Sequence, residues 1–339
     1  VWRTPCSISC GEFTIADLVN ADDIRLPRGY PPAMRILVVI AAAMLGCHQP
    51  ASHAADAHAS DGTVATDGTA TTDGGGPVTL ATPVKKQIFL EMVNSAEQSA
   101  LDWTTAYPYC EDIGDGRGYT TGIAGFTTDS AGATTDDGPG VLGVVLYYNS
   151  VTPGNVLAKY TQALQTAANA GTGSHTGIDA VGPFCATWAT AAADPTFKNA
   201  QQHDFDVTAF DPARLLAQAD GLGVLGQALY VDDSILNGYG GNPSLVHDVA
   251  AAKATAQTPA QGGNETTYLK AFVAAYRASI LADPGHASDG SVGRADTMWG
   301  PLVTAGNLDL HTPLHWSMYS QSFTIATDPT PDPALFTDW

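Results

Sequence analysis

Apolar positions first fall into register at Val84, Ile88, Met92, Val93 and Ala96, a three- and four-residue spacing that predicts an amphipathic helix. Thr82 and Pro83 stand at its start, a capping residue followed by the residue best tolerated in a first turn. Leu90, Val93 and Glu97 follow the same spacing, so Glu97 extends the apolar face. Three glycines then crowd a run from Glu111 to Thr120, which predicts a tight turn, and Thr120 to Phe126 has the mix of a short ribbon. Val141 to Tyr148 is apolar and predicts a buried helix, and Pro153-Gly154-Asn155 opens a helix over 156–168. Phe184 to Trp188 leads into another helical stretch. Asp211-Pro212 opens a long helix carrying Leu215, Leu216, Leu222, Leu225 and Leu229 towards Asp232 and Ile235. Thr266 to Leu281 is a further amphipathic helix, with Arg277 close to its apolar face, where an unpaired cation would be costly. Arg294 to Trp316 has few regular signals, and 322–339 is a Pro-, Asp- and Thr-rich tail. The pattern predicts an α+β fold, mainly α, in one two-lobed domain over 82–321 with one small β-ribbon and no internal repeat.

The N-terminal part has no such pattern. Met34-Arg35, an apolar run and small residues before Cys47 make a secretory signal over 34–47, too short to span a bilayer comfortably. Its lipobox-like end predicts either lipidation of Cys47, and so attachment to a membrane, or a plain secretory cut nearby. Residues 1–33 read as a non-native upstream extension. Residues 48–81 hold almost no large apolar side chains and are expected to be a disordered tether. These segments predict an extracellular or cell-surface protein.

Charge narrows the partners. The 339 residues carry a formal charge of −20, and from Thr82 onward 26 acidic side chains face 10 lysines and arginines. That excludes a nucleic-acid partner, which needs a basic footprint. It suits a polycation drawn in by long-range steering, although on charge alone plain solubility is the better account. Of the five cysteines only Cys110 and Cys185 fall in the predicted domain, as one disulfide or two buried thiols.

Two carboxylates stand out for their unlike settings. Glu97 at the end of an apolar stripe should have its charged form disfavoured and serve as a proton donor, unless it is a surface residue on a last turn. Asp115, between glycines and beside Arg117 and Thr120, should stay ionised. Such a contrast is what glycosidic hydrolysis asks for. Tyr107 and Tyr109 are sugar-stacking candidates or core. His311 and His315 are four apart, but Pro313 between them argues against a helical zinc pair.

The segments NSAEQSALDW, YPYCEDIGDGRGYTTGIAGF, PGNVLAKY, WATAAADPTF, FDPARLLAQADGLGVLGQALYVDD, TPAQGGNETTYLKAF and AGNLDL resemble, in the same order, the glycoside hydrolase family 46 chitosanases. The resemblance runs from Val84 to Tyr319. It implies a lysozyme-like fold of two lobes around a cleft, and endo cleavage of β-1,4 glucosamine linkages in chitosan with inversion. It also implies that no metal or cofactor is used. Glu97 then corresponds to the general acid and Asp115 to the general base that activates water, with Thr120 holding that water. Inversion calls for carboxyl groups about 6.5–9.5 Å apart. Tyr109 and Arg117 match cleft positions, and Asp232 matches an acid paired with Arg277 and Arg294 behind the site, a network that a structural ion pair would equally explain. The chain departs from the family in two loops. Asp129, Asp136 and Asp137 compete for one amine-binding role, which is assigned to Asp137, and Asp283 and Asp289 are candidates for another. A monomer is expected. The rival functions are a lysozyme-like hydrolase of another amino-sugar polymer and a non-catalytic chitosan-binding lipoprotein.

Overall fold

Helix α1 (Pro83–Glu97) is the first element, and it is buried more fully than its stripe implied. Lys85, Lys86 and Gln87 are shielded along with Ile88, Phe89, Met92 and Val93. Lys86 is tolerated inside because its ammonium lies 2.6 Å from Asp206 and sits over the Phe210 ring. Thr82 occupies the cap position, but its hydroxyl accepts the N–H of Thr79 instead of closing the first turn. The structure, a computed structural model, describes residues 78–132 and 138–332. The segments assigned to 1–33, the signal at 34–47 with Cys47, most of the 48–81 tether, and Asp136 and Asp137 lie outside the described residues.

After α1 the chain forms a three-stranded antiparallel sheet, β1 (Cys110–Asp112), β2 (Tyr119–Thr121) and β3 (Phe126–Thr127), in that spatial order. Asp112 pairs with Tyr119 at the point where the β1–β2 turn leaves the strands. Helices α2 (Val141–Val151), α3 (Thr161–Ala170), α4 (Thr176–Asp179) and α5 (Phe184–Ala191) follow. The helix predicted over 156–168 is a short 3-10 turn, Ala158–Tyr160, leading into α3. Cys110 and Cys185 form a disulfide that ties β1 to α5, with Cα atoms 5.2 Å apart.

Helix α6 (Pro195–Phe205) continues through a π-helical turn, Asp206–Phe210, into α7 (Asp211–Ala219). A proline inside a helix clashes with the carbonyl four residues earlier, and the widened turn lies just ahead of Pro212. The long helix expected from Asp211 to Ile235 is two. Gly221, at φ +79°, closes α7, and α8 (Val224–Asn237) starts afresh. Helices α9 (Leu245–Lys253) and α10 (Glu265–Ala282) pack together, the latter capped by the Asn264 side chain.

The last stretch is more regular than its pattern suggested. It holds α11 (Pro284–Asp289), a π-helical turn Arg294–Trp299, α12 (Gly300–Ala305) and the hairpin β4 (Leu314–Met318) with β5 (Gln321–Ile325). The fold therefore extends past the predicted boundary at 321. The turn between β4 and β5 is Tyr319-Ser320, both at positive φ, where glycine or asparagine would have announced a two-residue hairpin. The architecture is α+β, mainly α, as the pattern predicted, with two small sheets among the described residues.

Candidate active site

Glu97 is the last residue of α1, and its side chain is 40% exposed and paired with Arg294. Arg294 opens the π-helical turn and is almost wholly buried. Its other terminal nitrogen donates to Asp232, which is fully buried on α8. The second oxygen of Asp232 accepts from the Tyr276 hydroxyl at 2.8 Å and from Trp299 Nε1 at 2.7 Å. One guanidinium thus bridges a buried carboxylate and a half-exposed one, a use of its planar fork that lysine cannot reproduce. Glu97 is not left in apolar surroundings, as its stripe suggested; it is ion-paired. Arg277 is not part of this network. It pairs with Asp296 at 2.7 Å on the surface. Tyr276 and Arg277 are consecutive on α10, so turning Tyr276 inward to Asp232 turns Arg277 outward.

Asp115 lies in the β1–β2 turn between Gly114 and Gly116, both at positive φ. Its Oδ1 accepts the Arg117 backbone N–H at 3.0 Å and its Oδ2 accepts Arg117 Nε at 2.7 Å. Partial burial alone would raise the Asp115 carboxyl, but the amide and guanidinium of Arg117 outweigh it and hold the group below the ordinary carboxylate value. The turn closes at Gly118, where a Cβ would lie 2.3 Å from Thr128 Oγ1. That hydroxyl accepts the Tyr119 N–H, which locks the start of β2. On β2 the Thr120 hydroxyl is buried and has no hydrogen-bond partner among the described residues.

These pieces meet at a cleft of about 290 Å³ lined by Glu97, Tyr109, Arg117 and Thr120. A neighbouring cavity of about 500 Å³ shares Arg117, Gly125 and Ile235 with it and reaches Asp129. Glu97 lines the first of these adjoining cavities, whereas Asp115 lines neither and stands beside them through Arg117, which lines both.

Comparison with known proteins places this arrangement. The model of glycosyl hydrolase family 46 matches residues 91–314. A chitosanase of Streptomyces sp. (strain N174) is 44% identical over 248 residues, 73% of this chain and 84% of that protein. The chain belongs to glycosyl hydrolase family 46. A second chitosanase, from Nocardioides sp. (strain N106), is 42% identical over 73% of this chain and 84% of its own length. Among solved structures, the chitosanase OU01 with substrate superposes with a TM-score of 0.66 at 37% identity, covering 74% of this chain and 100% of that one. The superposition carries the lysozyme-like fold over to this chain.

Not every residue singled out in this family 46 glycosidase reaches the cleft. Tyr109 lines it, with its hydroxyl 3.4 Å from Glu111 Oε2; burial and then Glu111 push that phenol up. Tyr107 is core, its ring buried and its hydroxyl bonded to Gln202. Asp283 lines neither cavity and instead caps α11, accepting the N–H groups of Gly285 and His286. Asp289 also lines neither and accepts the Ser291 N–H. Asp129 lines the second cavity. His286 lines the cleft and was overlooked; its Nδ1 is buried without a hydrogen-bond partner among the described residues. The Asp283-Pro284 start signal, which places His286 in the first turn of a short helix, was its only trace in the sequence.

Proposed function

We propose that this glycosidase hydrolyses β-1,4 glucosamine linkages in chitosan, in the endo mode and with inversion. Glu97 gives a proton to the leaving oxygen, and Asp115 takes one from the attacking water, which Thr120 helps to hold. The observation that supports this most is the common cleft. Glu97, Thr120 and the arginine that holds Asp115 all line it. The hold of Arg117 keeps Asp115 able to accept a proton. The orphan hydroxyl of Thr120 has bonding capacity to offer a water. Two adjoining cavities suit a chain of several sugars, and the acid excess suits a polycation. The relatives named chitosanases favour chitosan over other amino-sugar polymers.

Incubation of the protein with chitosan, followed by anomer-resolved NMR, tests the reading. Parent enzyme should release oligomers of inverted configuration, and Glu97→Gln should release almost none. Equal turnover of chitin and chitosan would point to the lysozyme-like alternative, and no turnover by the parent would point to a binding protein. The signal-like run ending at Cys47 fits a secreted protein, anchored if Cys47 is lipidated. The mass of the mature N-terminal peptide checks this: a lipidated peptide beginning at Cys47 marks an anchored protein, an unmodified N-terminus near Cys47 a freely secreted one, and a Trp2-containing peptide would rule out both.

A further inference from the structure

His175 stands just ahead of α4, outside the residues assigned above, and both of its ring nitrogens face carboxylates. Nδ1 lies 2.7 Å from Asp179 Oδ2, and Nε2 lies 3.1 Å from Asp112 Oδ2. A neutral imidazole has one N–H donor and one lone pair, so it can satisfy only one of the two. The geometry therefore calls for an imidazolium. The bridge also closes into a ring. Asp179 Oδ1 accepts the Tyr119 hydroxyl at 2.8 Å, and the Tyr119 ring packs on the imidazole with centroids 4.3 Å apart.

What the ring grips is the base of the turn that carries Asp115. Asp112 ends β1, Tyr119 begins β2, and the two are paired across the hairpin. The second oxygen of Asp112 accepts the Gly114 N–H at 2.9 Å, which starts the turn itself. Behind the turn, Gly173 comes so close that a Cβ there would lie 1.8 Å from the Gly116 carbonyl oxygen. The turn thus rests on the backbone of the loop from which His175 projects. On the side where a Cβ would stand, Gly114 and Gly116 meet nothing, so no side chain of theirs stiffens the turn.

We propose that His175, as an imidazolium held between Asp112 and Asp179, is a positioning residue that fixes the turn carrying Asp115, and that loss of its proton releases the turn. The inference rests on the role proposed for Asp115. The charged groups acting on His175 are Asp179, beside it on α4, and Asp112 on β1. From β2, Tyr119 is pushed up to about 12, by burial first and then by Asp179, so it keeps its proton over the working range. Phe184 of α5, which packs on Tyr119, brings no charge. Partial burial would lower the imidazole, but the two carboxylates outweigh it and hold His175 above the ordinary histidine value. The direction follows: the clamp is engaged at acidic pH and is lost as pH rises through that raised value.

The test compares the parent with His175→Gln and Asp179→Asn on a soluble glucosamine hexamer, measuring kcat and KM from pH about 5 to about 8.5, on both sides of the ordinary histidine value near 6.5. The parent-to-His175→Gln ratio of kcat should be roughly 10-fold at the acidic end, a scale usual for a misplaced catalytic group. It should fall towards one at the alkaline end, with KM changed little. Substrate titration is common to both proteins and cancels in the ratio. A ratio that stays constant with pH, whatever its size, overturns the proposal. Should His175→Gln fail to fold, Asp179→Asn carries the same test through the His175 imidazole proton resonance, whose midpoint must move down relative to the parent; an unmoved midpoint overturns the proposal. Asp115→Asn separates the two claims. If it is inactive while the ratio is flat, only the clamp fails; if it is fully active, the role of Asp115 fails as well.

Discussion

Arg294 holds two carboxylates whose exposure differs widely, and this predicts opposite outcomes for two similar substitutions. Asp232 is fully buried, so either orientation of an amide in Asp232→Asn sets its NH2 against a donor, Arg294 on one side or Tyr276 and Trp299 on the other. It also leaves Arg294 inside without its buried counter-charge. Breaking a buried pair in this way costs about 3–5 kcal/mol, a large share of the ~5–15 kcal/mol that holds a domain together. Glu97 is 40% exposed, and solvent screening reduces its share of the same arginine to about 0–1 kcal/mol. Glu97→Gln should therefore unfold in urea close to the parent, while losing the proton donor should lower kcat by roughly 10²–10⁴. The assay pairs urea unfolding followed by far-UV circular dichroism with reducing-end release from chitosan on the same preparations. A Glu97→Gln protein that is destabilised as much as Asp232→Asn, yet keeps parental turnover, would show Glu97 to be a structural leg of the network and would sink its assignment.

Three further outcomes follow from single groups. Thr120→Val replaces a buried hydroxyl that has no partner among the described residues with an isosteric methyl, so stability should hold or rise by up to ~1 kcal/mol while kcat drops about 10-fold or more; unchanged turnover would remove Thr120 from the water site. Asp233 is pushed well above the ordinary carboxylate range, by burial first and then by Asp248, so the folded protein holds a proton that the unfolded chain releases above about pH 4. Folding stability should then fall as pH rises from there, by at most ~1.4 kcal/mol per pH unit, and Asp233→Asn should flatten that slope; parallel urea-unfolding curves at pH 4.5 and 8 for the two proteins would refute it. Arg277→Ala removes a cation whose partner Asp296 lies on the surface, so melting temperature and kcat should match the parent, and a collapse of either would return Arg277 to the Asp232 network.

What could be read from the residues divides along physical lines. Apolar spacing exposed α1 and α10 and an unbroken apolar run exposed α2, and of the three α1 also announced its start, with Thr82 and Pro83. The same signals merged α7 and α8, since leucines on both sides of Gly221 keep a helical period across a break made by one positive-φ glycine. The β4–β5 hairpin was missed because its turn residues, Tyr319 and Ser320, adopt left-handed angles without the residue types that favour them. Arg277 was misplaced for a related reason. Spacing shows that a residue lies near an apolar face, but only the phase set by its neighbour decides which side of the edge it takes. The Cys110–Cys185 pairing needed β1 and α5 to be side by side, which no local pattern encodes.

Each of the two carboxylates is held by an arginine, yet the two holds differ in kind. Arg294 is sealed in and has Asp232, with Tyr276 and Trp299 behind it, so moving it would strand a buried charge. Arg117 is more than half exposed, and its pair with Asp115 is of the surface kind that opens at little cost. A cationic chain entering the cleft therefore meets a fixed arginine behind Glu97 and an adaptable one beside Asp115. That asymmetry matches the demands on the proposed roles. The donor must meet one oxygen of a bound sugar, whereas the base must follow a water whose position is set only after the sugar has arrived. Stiffness at Asp115 must then come from below the turn, where Asp112, His175, Asp179 and Tyr119 close their ring, and not from Arg117 in front of it.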